Sequence, residues 1–187
     1  MSFDPHSLTL AEFIAWEERQ LVKHEFRAGV VFAMAGASDY HNQIVANVLA
    51  LVRPYLRAGP CRIYANDMML VTGFPGSRYP DVMVTCDGRD SENRRSKSYP
   101  KLVIEVLSES TAAVDMGDKL DEYLTIETLE EYVLIDSRKP LVRTYRRAGR
   151  TFETYPATIS GIVEFRSLGI SVTVADLYED VEFPARA

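Results

Sequence analysis

The chain has 187 residues, 47% of them apolar and 26% charged, a balance that excludes a disordered or collagen-like chain and fits one globular domain over residues 1–187. A net charge of −6 argues against a surface that attracts nucleic acid everywhere, although a basic patch beside an acidic site remains compatible with it. No apolar run approaches the roughly 18 residues of a membrane span, and the opening MSFDPHSLTL lacks the basic and apolar regions of a signal peptide. Cys61 and Cys86 lie in apolar, strand-like contexts and are expected as buried free thiols, neither a disulfide nor a zinc site. The expected compartment is the cytoplasm.

In chain order, Thr9 and Glu12 form a capping box, so the first helix should start near Thr9. Residues 22–35 follow as two short extended runs broken at Ala28-Gly29, the pattern of a hairpin. Ser38 or Asp39 then caps a long helix, in which Ile44, Val45, Val48, Leu49, Val52 and Leu56 recur at helical spacing up to Gly59-Pro60. Strand-like pieces are expected at 61–65, 68–72 and 79–86. The polar run from Asp87 to Ser98 reads as an exposed loop. LVIEVL at 102–107 reads as a fully buried strand. A helix is expected over about 111–127, then a buried strand at 131–136, short strands across 141–173, and a last short helix near 175–180. These elements make an α/β or α+β domain with a mixed sheet flanked by helices.

The chemistry points first to Glu105, a carboxylate inside an apolar strand. Such a group is costly to bury without compensation. A buried ion pair and a functional site explain it equally well. Asp81 follows Pro80 at the head of the run DVMV, and adjacent strands could bring it close to Glu105. Two carboxylates with a carbonyl and waters suit Mg²⁺ or Mn²⁺. Lys119 lies on the following helix with Tyr123 at i+4. It reads either as a surface lysine paired with Asp115 or Glu122, or as a charge stabiliser beside the acids.

These residues carry a resemblance. Tyr79-Pro80-Asp81-Val82, then Ile104 to Thr111, then Asp115 to Lys119 with Tyr123, closely resemble the Uma family of bacterial candidate restriction endonucleases, within the PD-(D/E)XK nuclease superfamily. The likeness extends to residues 8–16, 24–38, His41-Asn42, 130–136 and 168–181, nearly the whole chain. It implies a restriction-endonuclease-like core sheet flanked by helices, Mg²⁺-dependent phosphodiester hydrolysis and DNA as substrate. Asp81 matches the PD aspartate and Glu105 the (D/E) position. The signature lysine position, two residues on, holds Leu107, and Lys119 matches a lysine the family carries on the next helix. Glu25 and His41 match a family glutamate and histidine. Either they serve the site, or Glu25 pairs with Lys23 or Arg27 and His41 caps or packs. One departure is Val30, where relatives often carry an acid after the glycine matching Gly29.

The expected mechanism has Asp81, Glu105 and the Val106 carbonyl holding the metal, and Lys119 stabilising the transition state. Basic residues would grip the strand: Arg94, Arg95, Lys97 and Lys101 in one cluster, Arg143, Arg146, Arg147 and Arg150 in another. Solvated surface is the plain alternative for each of them. A homodimer, built on the apolar strands after Leu141, would serve cleavage of both strands. Two other readings stand beside this one. One is a catalytically inactive nuclease fold acting as a DNA-binding or oligomeric interaction module. The other is a metal-dependent hydrolase of RNA or a small phosphodiester.

Overall fold

The computed structural model describes residues 8–34, 36–73, 76–108 and 116–183. Helix α1 (Leu10–Glu17) starts where the capping box places it, with the Thr9 hydroxyl and the Glu12 carboxylate each taking the other's backbone N–H. Strands β1 (His24–Arg27) and β2 (Val30–Ala33) form the hairpin, and Ala28 and Gly29 both take the positive φ its tight turn requires. Ser38 caps α2 (Asp39–Val52), which runs on into a 3₁₀ turn at Arg53–Leu56.

Then come β3 (Arg62–Ala65), β4 (Met69–Thr72), β5 (Gly76–Arg78) and β6 (Val82–Thr85). A short helix α3 (Arg89–Glu92) and β7 (Ser96–Lys97) follow. Strand β8 (Pro100–Leu107) leads by way of α4 (Asp118–Leu124) to β9 (Glu131–Asp136). The chain ends in β10 (Leu141–Ala148), β11 (Thr151–Thr158), β12 (Ile162–Phe165), β13 (Ile170–Thr173) and α5 (Val174–Leu177).

The strands make three sheets where one was expected: β2-β1-β5-β4-β7, β11-β10-β9-β8-β6-β3 and the pair β12-β13. In the six-stranded sheet β8 is parallel to β9 and antiparallel to β6. The parallel pair needs a long crossover, and α4 lies in it. Side chains alternate between the two faces of this sheet. Val82, Ile104, Val106, Val133 and Ile135 pack with Ile44, Val45 and Val48 of α2. Met83, Val103, Leu107, Tyr132 and Leu134 pack with Leu70 of β4 and Tyr123 of α4. Glu105 belongs to this second face, between α4 and the five-stranded sheet. Among the described residues no helix is long and apolar enough to cross a membrane.

Two expectations need correction. Cys61 and Cys86 are not free thiols but form a disulfide. The pairing of Arg62 with Thr85 sets the two cysteines opposite each other beyond the ends of β3 and β6. The run 87–98 is exposed at 88–89 and 91–95 but is not a plain loop: it holds α3, β7 and a buried centre. Asp90 is buried and accepts hydrogen bonds from Thr85 Oγ1 (2.7 Å), Ser98 N (2.8 Å) and Tyr99 N (3.1 Å). The helix expected over 111–127 is present in its described part. It is described only as α4, and residues 109–115, with Asp115 among them, lie outside the described residues.

Tyr178 and Tyr123 are buried, and burial pushes both phenols well above their ordinary value. Tyr178 also holds the start of β10: its hydroxyl lies 2.7 Å from the Asp136 carbonyl oxygen and accepts the Leu141 N–H at 3.2 Å. A phenol kept neutral in the folded state, while the unfolded chain ionises near pH 10, contributes stability that is complete below that pH and is lost above it. The urea midpoint is therefore expected to hold from about pH 7 to 9 and to fall above about pH 10, with a shallower fall in Tyr178→Phe.

Candidate active site

Asp81 immediately precedes β6, and the register that pairs Val82 with Ile104 sets it across from Glu105. The Asp81 N–H donates to Glu105 Oε2 at 3.3 Å. Asp81 Oδ2 accepts the Val106 N–H at 2.7 Å and lies 3.2 Å from His41 Nε2. A carboxylate offers only acceptors, so His41 carries its proton on Nε2. Its buried Nδ1 has no hydrogen-bond partner among the described residues. Asp81 Oδ1 likewise has no hydrogen-bond partner among the described residues, and the side chain keeps 17% of its accessible surface.

Glu105 is almost sealed, with 3% of its side chain exposed. Lys119 Nζ donates to its Oε1 at 3.0 Å, and the Tyr123 hydroxyl donates to the same oxygen at 2.9 Å. Burial, followed by the nearby Glu105 charge, raises the Tyr123 phenol and keeps it a neutral donor. Lys119, Glu122 and Tyr123 are the buried residues of α4 and share one helical face.

Lys119 Nζ also lies 3.5 Å from Glu25 Oε1. Glu25 on β1 stands next to Arg78 on β5, one step along from the pair Phe26–Ser77. The Arg78 guanidinium donates to Glu25 Oε2 at 2.8 Å and grips Glu122 with two bonds of 2.9 and 2.6 Å. Arg27 Nε adds a contact to Glu122 at 3.0 Å, and Arg27 also pairs with Asp118. Burial works against the Arg78 charge, but the bonds to Glu122 and the charge of Glu25 outweigh it and hold the guanidinium protonated.

The five expected site residues thus converge. Asp81, Glu105 and His41 meet at the end of β6 and β8, and Lys119 bridges Glu105 to Glu25. Glu25 pairs with Arg78 and not with Lys23 or Arg27, and Lys119 meets Glu105 and Glu25 and not Glu122, while Asp115, its other expected partner, lies outside the described residues. Arg78 and Glu122 were missed. The spacing of Lys119, Glu122 and Tyr123 could have placed Glu122 on the inner face of its helix. For Arg78, within the short segment Gly76-Ser77-Arg78, the sequence offers no signal.

Most of the expected DNA-gripping residues are engaged internally. Lys97 is buried and donates to the carbonyl oxygens of Asp90 (2.6 Å) and Asn93. Arg95 pairs with Glu18 and Lys101 with Glu130. Arg146 binds Glu131 (2.9 Å), and Arg147 donates to the carbonyls of Leu129 and Ile126, each at 2.7 Å. Arg94, Arg143 and Arg150 meet no carboxylate among the described residues.

The family model described as "Uma2: Putative restriction endonuclease" matches residues 10–174. The chain belongs to the Uma2 family. Two uncharacterized proteins of Synechocystis sp. are similar to it. One is 34% identical over 180 residues, covering 94% of this chain and 94% of that protein. The other is 34% identical over 145 residues, covering 76% and 82%. Among solved structures, one titled a putative nuclease, from Anabaena variabilis, superposes with a TM-score of 0.77 over 92% of this chain and 98% of that one, at 18% identity. This is a likeness of fold. The mixed sheets flanked by helices share that protein's fold, and Uma2 membership places the chain in a family of candidate restriction endonucleases.

The Arg78 network yields a stability prediction. Arg78→Met strands two buried carboxylates, and breaking such a pair from one side typically costs about 3–5 kcal/mol. Urea unfolding should show a loss of that order, with amide exchange in α4 rising more than exchange in α2.

Proposed function

We propose that this Uma2 protein is a Mg²⁺- or Mn²⁺-dependent endonuclease that hydrolyses DNA phosphodiester bonds, with the whole chain acting as one nuclease domain. The observation that carries the reading is the meeting of Asp81, Glu105 and Lys119 within hydrogen-bond reach at a partly open end of the sheet.

The residues fit a hard cation of this kind. Mg²⁺ is commonly held by one or two carboxylates and keeps several waters. Asp81 has an uncommitted oxygen at the accessible edge. Glu105 lies beside it, and the Val106 carbonyl faces the same strand edge as the Val106 N–H that Asp81 accepts. Among the described residues no group of three or more His, Cys, Asp and Glu could hold a metal ion; the proposed ligand set is two carboxylates, Asp81 and Glu105, with the Val106 carbonyl. When bound there, the cation would neutralise charge on the scissile phosphate and lower the pKa of an attacking water.

The chain's own residues divide the remaining work. The Val106 N–H and His41 fix Asp81 Oδ2, which leaves Oδ1 toward the ligand. Tyr123 fixes Glu105. Lys119 places a positive charge where negative charge builds up on the phosphate, and Glu25, anchored by Arg78, sets the position of the ammonium. Cutting both strands of a duplex calls for two sites, which a homodimer supplies. We place the activity in the cytoplasm. The Cys61–Cys86 disulfide lies at the opposite end of β6 from Asp81 and takes no part in this mechanism.

Supercoiled and linear DNA incubated with Mg²⁺ or Mn²⁺ should be cut by the wild type and left intact by Asp81→Asn. Lys119→Ala should lower kcat by about 10²–10³-fold, the usual cost of removing one preorganised charge stabiliser. Unchanged cutting by Asp81→Asn would sink the proposal. Calorimetric titration with Mn²⁺ separates an active site from an inactive fold: binding should be present and weakened by Glu105→Gln.

A further inference from the structure

We infer that the cleft beside Glu105 is a nucleotide subsite that holds a phosphate and sugar flanking the scissile bond. Its ligand identity rests on the nuclease reading, whereas its capacity to bind an anion follows from its own residues. The register carries the argument first. Glu105 pairs with Leu134, and Leu134 pairs with Arg143, so Asp81, Glu105, Leu134 and Arg143 form one transverse row across β6, β8, β9 and β10. Residues in such a row share a face. Arg143 therefore lies on the face of the sheet that carries the carboxylates. With strands about 4.8 Å apart, its Cα sits roughly 10 Å from that of Glu105. Phosphates recur about every 3.4 Å of axis along one strand, so a guanidinium there reaches one within about three nucleotides of the bond being cut.

The cleft fits such a ligand in size and chemistry. It has a volume of about 130 Å³, an apolar floor of Leu107, Leu134 and Leu141, a wall at Met116, and Lys139 and Arg143 on its rim. This is far below the roughly 300 Å³ at which ordinary small-molecule pockets begin, and suits a sugar and phosphate rather than a larger ligand. The lining acid, Asp136, is already matched. It accepts the Arg138 N–H at 3.0 Å and the Arg138 guanidinium at 3.1 and 3.2 Å. Among the described residues Arg143 donates only to Met116 Sδ, at 3.1 Å, and a thioether is a weak acceptor. Arg146 and Arg147 on the same strand are both committed to oxygen acceptors. The cleft therefore presents two cations, Arg143 and Lys139, that meet no carboxylate among the described residues. A planar guanidinium over an apolar floor is suited to bidentate binding of phosphate.

The test uses 2′-deoxythymidine 3′,5′-bisphosphate as probe, titrated into the full chain at low salt without divalent cation. Arg143→Ala should weaken binding about tenfold, the scale of one lost charge-assisted contact. Arg150→Ala, in the exposed turn after β10, should not. Arg143→Met keeps the aliphatic stem and serves if the alanine variant folds poorly. On DNA, Arg143→Met should raise KM with kcat little changed and reduce the salt slope of binding by about one. Wild-type affinity for the bisphosphate in both Arg143 variants would overturn the subsite, even if the wild type cuts DNA. If the probe binds through Arg143 but no nucleic acid is cut under any metal, the anion site stands, and the nuclease reading falls together with the nucleotide identity that rests on it.

Discussion

The buried guanidinium of Arg78 is the contact on which the arrangement of the site depends. It joins three elements that the chain order does not bring together: β5, which carries it; β1, through Glu25; and α4, through Glu122. Only 3% of the Arg78 side chain is exposed. Each of its partners is a charge that would be expensive to leave alone in such surroundings. Two anions around one cation would leave an excess negative charge, which is offset by Lys119, shared between Glu25 and Glu105, and by Arg27, shared between Glu122 and Asp118. The network therefore does more than hold a helix down. It fixes which face of α4 points inward, and that face carries Lys119.

The carboxylate pair depends on a different constraint, the end of a strand pairing. Strand β6 starts at Val82, while β8 runs on to Leu107. Beyond Ile104 the β8 edge has no β6 partner in the ladder, and Asp81 supplies the missing acceptor by taking the Val106 N–H with its side chain. A buried backbone donor is thereby satisfied, and one carboxylate is fixed against the other. Proline at position 80 suits this point, since it carries no N–H and ends regular pairing. The disulfide at the far end of β6 and the entry of the chain at Asp81 bracket a four-residue strand whose register sets the distance between the two acids.

Local features of the fold were legible in the sequence, and long-range ones were not. The capping box at Thr9, the Ala28-Gly29 turn and the Ser38 cap are each decided within about four residues. Glu105 was legible because a single charge in LVIEVL contradicts its surroundings. The Cys61–Cys86 bond was not, because only the pairing of Arg62 with Thr85 sets the two sulfurs opposite each other. Polar composition misled at 87–98. Asp90 there is a buried hub, collecting a hydroxyl and two backbone N–H groups, and Lys97 is spent on carbonyl oxygens. The same reason thinned the basic clusters: counting arginines does not reveal which of them already have partners. Arg78 was invisible because its two partners lie 44 and 53 residues away.

The position of the amine links these constraints. In the superfamily pattern the lysine would stand two residues after Glu105, on the same strand, where backbone geometry alone would fix its distance to the acids. Here that position is Leu107, packed among Val103, Tyr123 and Leu134. The ammonium comes instead from α4, so its distance to Glu105 is set by how the helix docks. Docking in turn depends on Arg78, and the segment leading into α4 borders the cleft through Met116. A leucine at 107 gives that cleft its apolar floor, whereas a lysine there would fill it with a charged side chain. An amine on the helix thus leaves this cleft open at Leu107 and Leu134 and makes the position of Lys119 contingent on tertiary packing. In the proposed reaction, stability of the Arg78 network and efficiency of the chemistry are then a single property, because a change that loosens α4 withdraws Lys119 from Glu105 even when both carboxylates are untouched.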